Sequence, residues 1–106
     1  MNTEQKAEAL AALCEFSIKF REPINRVGSK APWYVVQSVV VCDGRFETGT
    51  YGNGNNPADA IDDHWRRLAQ ELPEDSWLIV RQGDKRRSVR WNGFMWVDCV
   101  PVAAVA

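Results

Sequence analysis

The sequence predicts an α+β fold in a single domain, and three observations carry that prediction. An apolar stripe recurs at helical spacing between Pro57 and Pro73. Glycine-bearing turn dipeptides separate stretches rich in β-branched and aromatic residues. The 106 residues suit one domain and leave no room for two. The expected order is α-β-β-α-β-β-β, with an antiparallel or mixed five-stranded sheet and both helices packed on one face. The domain covers residues 1–106, with 101–106 as a candidate flexible tail.

The first element reads as a helix from Thr3 to about Phe20. Ala7, Leu10, Leu13, Cys14, Ser17 and Ile18 follow a three-four spacing, and Phe16 and Phe20 widen the apolar face. Thr3 fits the N-cap, with Glu4 in the first turn against the helix dipole. Pro23 and Gly28 break the pattern, so 21–32 reads as a polar loop. Trp33–Cys42 is a strand whose valines point to both faces, which marks it as central and covered on two sides. Asp43-Gly44 signals a hairpin turn and Arg45–Tyr51 the returning strand, weakened by Gly49 and followed by Gly52 and Gly54, as at an edge or bulge.

Asn56-Pro57 opens the second helix: Asn56 as N-cap, Pro57 at the first helical position, and Asp59 where a capping-box acid stands. Ala58, Ile61, Trp65, Leu68 and Leu72 form its apolar stripe, and Pro73 ends it. A meander follows. Ser76–Gln82, a Gly83-Asp84 turn with glycine first, Lys85–Trp91, an Asn92-Gly93 turn and Phe94–Val100 complete the sheet.

Two-residue turns fix register. Across Asn92-Gly93, Trp91 faces Phe94, Val89 faces Trp96 and Arg87 faces Asp98. Across Gly83-Asp84, Val80 faces Arg87 and Leu78 faces Val89. One face of the meander is therefore Leu78, Val80, Val89, Trp91, Phe94 and Trp96, with the second helix as its cover. The other face carries the rows Trp77–Arg90–Met95, Ile79–Ser88–Val97 and Arg81–Arg86–Cys99. Arg81 directly opposite Arg86 is repulsive, so a carboxylate from elsewhere in the chain or an anionic partner is expected to offset it. An exposed tryptophan beside arginines marks an interface, which makes Trp77, Arg81, Arg86, Arg90 and Met95 the candidate binding surface. Cover by the N-terminal helix or the apolar tail is the structural alternative.

Charge is balanced overall at −1 but unevenly distributed. Between Asp59 and Asp75 six acids stand against two arginines, whereas Arg81 to Arg90 holds five basic residues against Asp84. Asp62, Asp63 and Glu71 on the helix form a second, acidic candidate surface for a basic partner. Three cysteines without a C-x-x-C spacing argue against a disulfide framework or a zinc site and fit a reducing cytoplasm. No apolar run approaches the length of a membrane span, and the N-terminus lacks a signal-peptide core. No cofactor is expected.

Catalytic motifs are thin. Gly52-Asn53-Gly54-Asn55-Asn56-Pro57 lies between a strand and a helix, where a phosphate loop would, but Asp59, Asp62 and Asp63 fill the helix start and would repel phosphate. His64 is the only histidine; a pair with Cys42 or Cys99 has no spacing to support it, and a half-buried helix histidine is the commoner case. The sequence therefore reads as a non-enzymatic binding protein acting by protein–protein contact, an adaptor or an inhibitor of the kind phages and mobile elements encode. The alternative is a nucleic-acid module that uses Arg81, Arg86 and Arg90 with Trp77 as the stacking aromatic. An enzyme comes third.

Overall fold

Asn2, one residue before the expected cap, starts the first helix. Its side chain accepts from the Gln5 amide at 2.8 Å while the Gln5 side chain accepts from the Asn2 amide at 2.9 Å, a reciprocal capping box. In the computed structural model, which describes residues 1–22 and 31–99, this helix (α1) spans Thr3–Leu13. It stops well short of Phe20. The residues that widened its apolar face, Phe16, Ile18 and Phe20, alternate with Ser17 and Lys19, and that period of two makes Phe16–Phe20 a strand (β1). Donors from the sheets take the carbonyls left open at the helix end. Gln37 Nε2 reaches Leu10 O at 2.7 Å, and Gln82 Nε2 reaches Leu13 O at 3.2 Å.

The single long strand expected over Trp33–Cys42 is two, Trp33–Gln37 (β2) and Val39–Asp43 (β3), divided at Ser38. Trp33, Val35, Val39 and Val41 all pack on the main core, so the side-chain alternation runs through the break while the pairing partners change. Before Ser38 the partners are β1 and Gly52–Gly54 (β5); after it they are Phe46–Gly49 (β4) and Ser76–Gln82 (β6). Both halves are central strands, as the valines on both faces required. Asp43 pairs with Phe46, so the turn between β3 and β4 is Gly44-Arg45 rather than Asp43-Gly44, with Gly44 at φ +67°.

The second helix (α2) spans Pro57–Trp65 and is capped by Asn56, whose side chain accepts from the Asp59 amide at 2.9 Å. It continues as a π-helical turn over Arg66–Gln70, closed by the Glu71 amide on Arg66 O at 2.8 Å. Ile61, Trp65 and Leu68 are buried as the stripe required. Ala58 is exposed, and Ala60 takes its place because the helix backbone rests directly on β5. A Cβ at Gly52 would stand 2.2 Å from Ala60 O, and one at Gly54 2.4 Å from Ala60 N. Those glycines permit the close approach.

Lys85–Trp91 (β7) and Trp96–Asp98 (β8) finish an antiparallel five-stranded sheet in the order β4-β3-β6-β7-β8, and a three-stranded sheet runs β1-β2-β5. The α+β class and the five-stranded sheet are as expected; β1, β2 and β5 add the smaller sheet. Leu10, Leu13, Val35, Ile61, Trp65, Leu68, Leu78, Val80 and Val89 form one core shared by both helices and both sheets. Among the described residues no helix is long and apolar enough to cross a membrane. The expectations for Val100, for the tail 101–106 and for most of the 21–32 loop lie outside the described residues.

Candidate functional site

The β6–β7 register is the expected one: Leu78 pairs with Val89, Val80 with Arg87 and Arg81 with Arg86 across a turn with Gly83 at φ +61°. The repulsion between Arg81 and Arg86 is offset within the chain. Glu47 on β4 binds Arg81 Nη2 through one carboxylate oxygen at 2.5 Å and Arg86 through the other. Cys42 pairs with both Glu47 and Trp77, which sets Glu47 on the same sheet face as the arginines.

Trp77 does not offer the exposed aromatic that the candidate surface needed. It is 6% exposed, packed with Cys42, Ile79, Val40 and Cys99 in a second apolar cluster on the outer face of the five-stranded sheet. Arg90 is committed as well, its Nη1 donating to the carbonyls of Pro73, Glu74 and Ser76 and holding the approach to β6. The nucleic-acid alternative thereby loses its stacking aromatic, and its three arginines already have partners in the chain.

Met95 leaves this face altogether. Trp91 pairs with Trp96, and the Asn92 side chain accepts from both the Phe94 and Met95 amides, at 2.8 and 2.9 Å. The turn is thus the four-residue loop Asn92–Met95, with Gly93 at φ +104°, and not Asn92-Gly93 alone. Val89 consequently pairs with Asp98 and Arg90 with Val97. A shift of two positions preserves the faces, so Trp91 and Trp96 remain inside. Arg87 and Asp98 still meet, at 3.4 Å, although no longer directly opposed. Phe94, expected in the core, is 88% exposed, and Met95 beside it is 58% exposed.

The acidic surface is similarly engaged. Asp62 accepts from Thr3 Oγ1 at 3.0 Å and pairs with Lys6, tying α1 to α2. Asp63 takes the Asn53 amide at 2.8 Å and both Arg66 and Arg67, and Glu71 pairs with Arg66 at 2.7 Å. Burial opposes ionisation of Asp63, yet the Asn53 amide and the two guanidinium groups hold its carboxyl below the usual range. The Asn53 amide is therefore occupied by this carboxylate.

His64 is fully buried, and its Nε2 lies 2.9 Å from Gln37 Oε1. Gln37 Nε2 already donates to Leu10 O and Cys14 O, so its oxygen must accept and His64 carries its proton on Nε2. The other ring nitrogen has no partner among the described residues, which fits a neutral ring. Burial pushes the pKa down to about 4, Arg67 adding to the effect and Asp63 opposing it. Cys42 belongs to the cluster on the outer sheet face, with Cys99 packed against it, and His64 belongs to the inner core. Burial raises the pKa of all three thiols, away from an activated thiolate. Among the described residues no group of acids, cysteines and histidine has the arrangement of a metal site.

What the sequence reading missed is the groove beside the Asn92–Met95 loop. It is a solvent-open depression of about 730 Å³ between α1 and the β7–β8 hairpin, lined by Ala9, Ala12, Trp91, Trp96, Phe94 and Met95 among others. Trp96 Nε1 donates to Ala9 O at 2.7 Å, which joins the two walls. The available signal was the pair Phe94-Met95 directly after Asn-Gly, apolar residues at a loop tip. Comparison of the chain with protein-family models, with curated proteins and with solved structures finds no match.

Proposed function

We propose that this chain is a non-catalytic binding protein that acts by protein–protein contact, and that the contact is made by the Phe94-Met95 tip and the groove behind it. The supporting observation is a large aromatic side chain left in solvent on a loop held shut by its own Asn92 side chain. An anchor of this kind buries a large apolar area on a partner while losing little conformational freedom, because its backbone is already ordered. The apolar groove next to it would receive a side chain from the partner.

An adaptor or inhibitor role, of the kind phages and mobile elements encode, is the finer reading, and it rests on size and fold class alone. Three free thiols suit a reducing compartment such as the cytoplasm.

A photo-crosslinking aromatic placed at position 94, with position 46 as the control, tests the reading. Phe46 is also an exposed phenylalanine, on β4. Irradiation in native-host extract should yield a discrete protein adduct from position 94 that excess wild-type chain competes away. The Phe94→Ser/Met95→Ser double variant should fail to compete. Equal competition by the double variant, or no competed adduct from position 94, overturns the proposal.

A further inference from the structure

β4 is an edge strand of the five-stranded sheet, and no strand pairs with its outer side among the described residues. The turn that precedes it fixes its backbone phase. Asp43 and Phe46 close the Gly44-Arg45 turn, so they exchange backbone hydrogen bonds with each other, and by alternation Val41 and Thr48 do the same. The amides and carbonyls of Glu47 and Gly49 therefore point out of the sheet. The far side of β3 agrees. The Arg81 amide donates to Ser38 O at 3.0 Å, which assigns the backbone groups of Ser38, Val40 and Cys42 to β6 and leaves those of Val41 and Asp43 for β4. All of β4 is exposed, Phe46 at 78%. Its run Phe-Glu-Thr-Gly has no proline, lysine or bulge to discourage strand addition.

We propose that β4 pairs with β4 of a second copy of the chain, antiparallel and with the two-fold axis through Thr48. In that register Glu47 and Gly49 exchange hydrogen bonds with Gly49 and Glu47 of the second copy, giving about four new backbone hydrogen bonds. Thr48 lies opposite its own copy, a cross-strand pair that suits a sheet. Phe46 lies opposite Thr50 and diagonal to Thr48 of the second copy, which cover part of its exposed ring. Glu47 lies opposite a glycine, so no side chain is driven against its bridge to Arg81 and Arg86.

Self-complementarity selects the partner. Sliding the copies by two residues one way sets Glu47 against Glu47 on the axis and leaves Gly49 opposite Arg45, in the turn. Sliding the other way sets Gly49 against Gly49 and leaves Glu47 opposite Tyr51, beyond the strand. A slide by one residue sets outward groups against inward ones. The register on Thr48 alone uses both outward residues of each strand, and it joins two five-stranded sheets into one continuous sheet. The site is separate from the Phe94-Met95 tip, which joins β7 to β8 at the opposite edge.

Sedimentation equilibrium of the full chain, from low micromolar to near-millimolar concentration, tests the inference. Wild-type protein should show a reversible monomer–dimer equilibrium. Thr48→Lys puts two cations on the axis, and Gly49→Pro removes one outward donor from each copy; each should raise the dimer dissociation constant by about tenfold or more. Thr48 is exposed, so its variant should keep the wild-type near-UV circular dichroism even if Gly49→Pro does not. With purified chain, a photo-crosslinking aromatic at position 46 should give an adduct of twice the chain's mass, which that mass distinguishes from an adduct to a host protein. The same group at position 94 should not. A monomer at every concentration, a dimer indifferent to Thr48→Lys, or a covalent dimer from position 94 and none from position 46 overturns the proposal.

Discussion

On the inner face of the five-stranded sheet, Trp91 and Trp96 meet Trp65 of α2 edge-to-face, with ring centroids 4.8 and 5.7 Å from the Trp65 ring. On the outer face, Trp77 packs against Cys42 and Ile79 in a cluster whose described members come from strands and from Cys99, with no helix residue among them. Residues Ser76–Val80 of β6 are buried throughout, so one strand serves both clusters. The inner face is closed by a separate amphipathic element whose apolar stripe is written into its sequence. Among the described residues the outer-face cluster is built from side chains of the same sheet and Cys99, with Arg81, Glu47 and Arg86 on the same face. A sheet face opposite the helices is therefore not an open face, and an arginine pair on it is not an unmet charge.

The largest effect expected from breaking this contrast is at its inner side. Trp65 is 2% exposed, and Trp65→Ala should cost about 3–5 kcal/mol in urea unfolding, the range for deleting a buried aromatic. Trp77→Ala should cost less, about 2–3 kcal/mol, because among the described residues its cluster is smaller than the inner core and can collapse further. Equal losses would make the two faces energetically alike; a loss below about 1 kcal/mol at Trp77 would return it to the surface.

Acid sharpens the contrast next, since the one histidine lies in the inner core. Its folded pKa of about 4 is below the ordinary 6.5. The unfolded chain therefore takes up the proton first, and stability falls as pH drops from 6.5 toward 4. The full contribution from this group is about 3 kcal/mol, present above the unfolded pKa and lost by the folded one. His64→Gln removes that share of the pH dependence, so urea midpoints of the variant should vary less with pH across the window than those of wild type. Parallel curves would show His64 to be accessible to protons in the folded state.

Much of this architecture was legible in the sequence because it is encoded locally. Asn56-Pro57 and the Ile61–Trp65–Leu68 spacing specify α2, and Gly83-Asp84 specifies the β6–β7 register and with it the opposition of Arg81 and Arg86. The need for an offsetting negative charge, from the chain or from a partner, followed from that opposition. Its identity did not, because Glu47 arrives through the β3–β6 pairing, which no turn encodes. Asn92-Gly93 misled for the opposite reason: the Asn92 side chain caps two amides and lengthens the turn, a choice that the dipeptide alone does not reveal. Phe94 was lost from the core in that step, and the exposed Phe94-Met95 tip went unseen. Residues 16–20 satisfied a helical spacing and a strand alternation together, and β2 decided between them. Gln37 carried no signal at all, being one polar residue in a run of strand formers, yet it joins α1 to His64.

The smallest effect expected is at the charged fence. Glu47→Gln should cost about 1 kcal/mol, with the difference shrinking at high salt. Arg86→Thr in the wild-type background should not stabilise the protein, because Glu47 already bridges both arginines. In the Glu47→Gln background the same substitution should recover part of the loss. Stabilisation by Arg86→Thr alone would mean that Glu47 does not bridge the pair.

Whether the outer face is closed is read from Trp77 itself. Protein labelled with 5-fluorotryptophan gives one fluorine resonance for each of its five tryptophans, and the resonance that disappears in Trp77→Phe belongs to Trp77. That variant should stay folded, since it keeps most of the buried ring area and removes an indole N–H that has no partner among the described residues. On exchanging water for deuterium oxide, the Trp77 resonance should show a solvent isotope shift close to that of the buried Trp65 resonance, and a soluble paramagnet should leave it sharp. A full solvent shift with paramagnetic broadening would contradict this and restore Trp77, Arg81, Arg86 and Arg90 as an open surface.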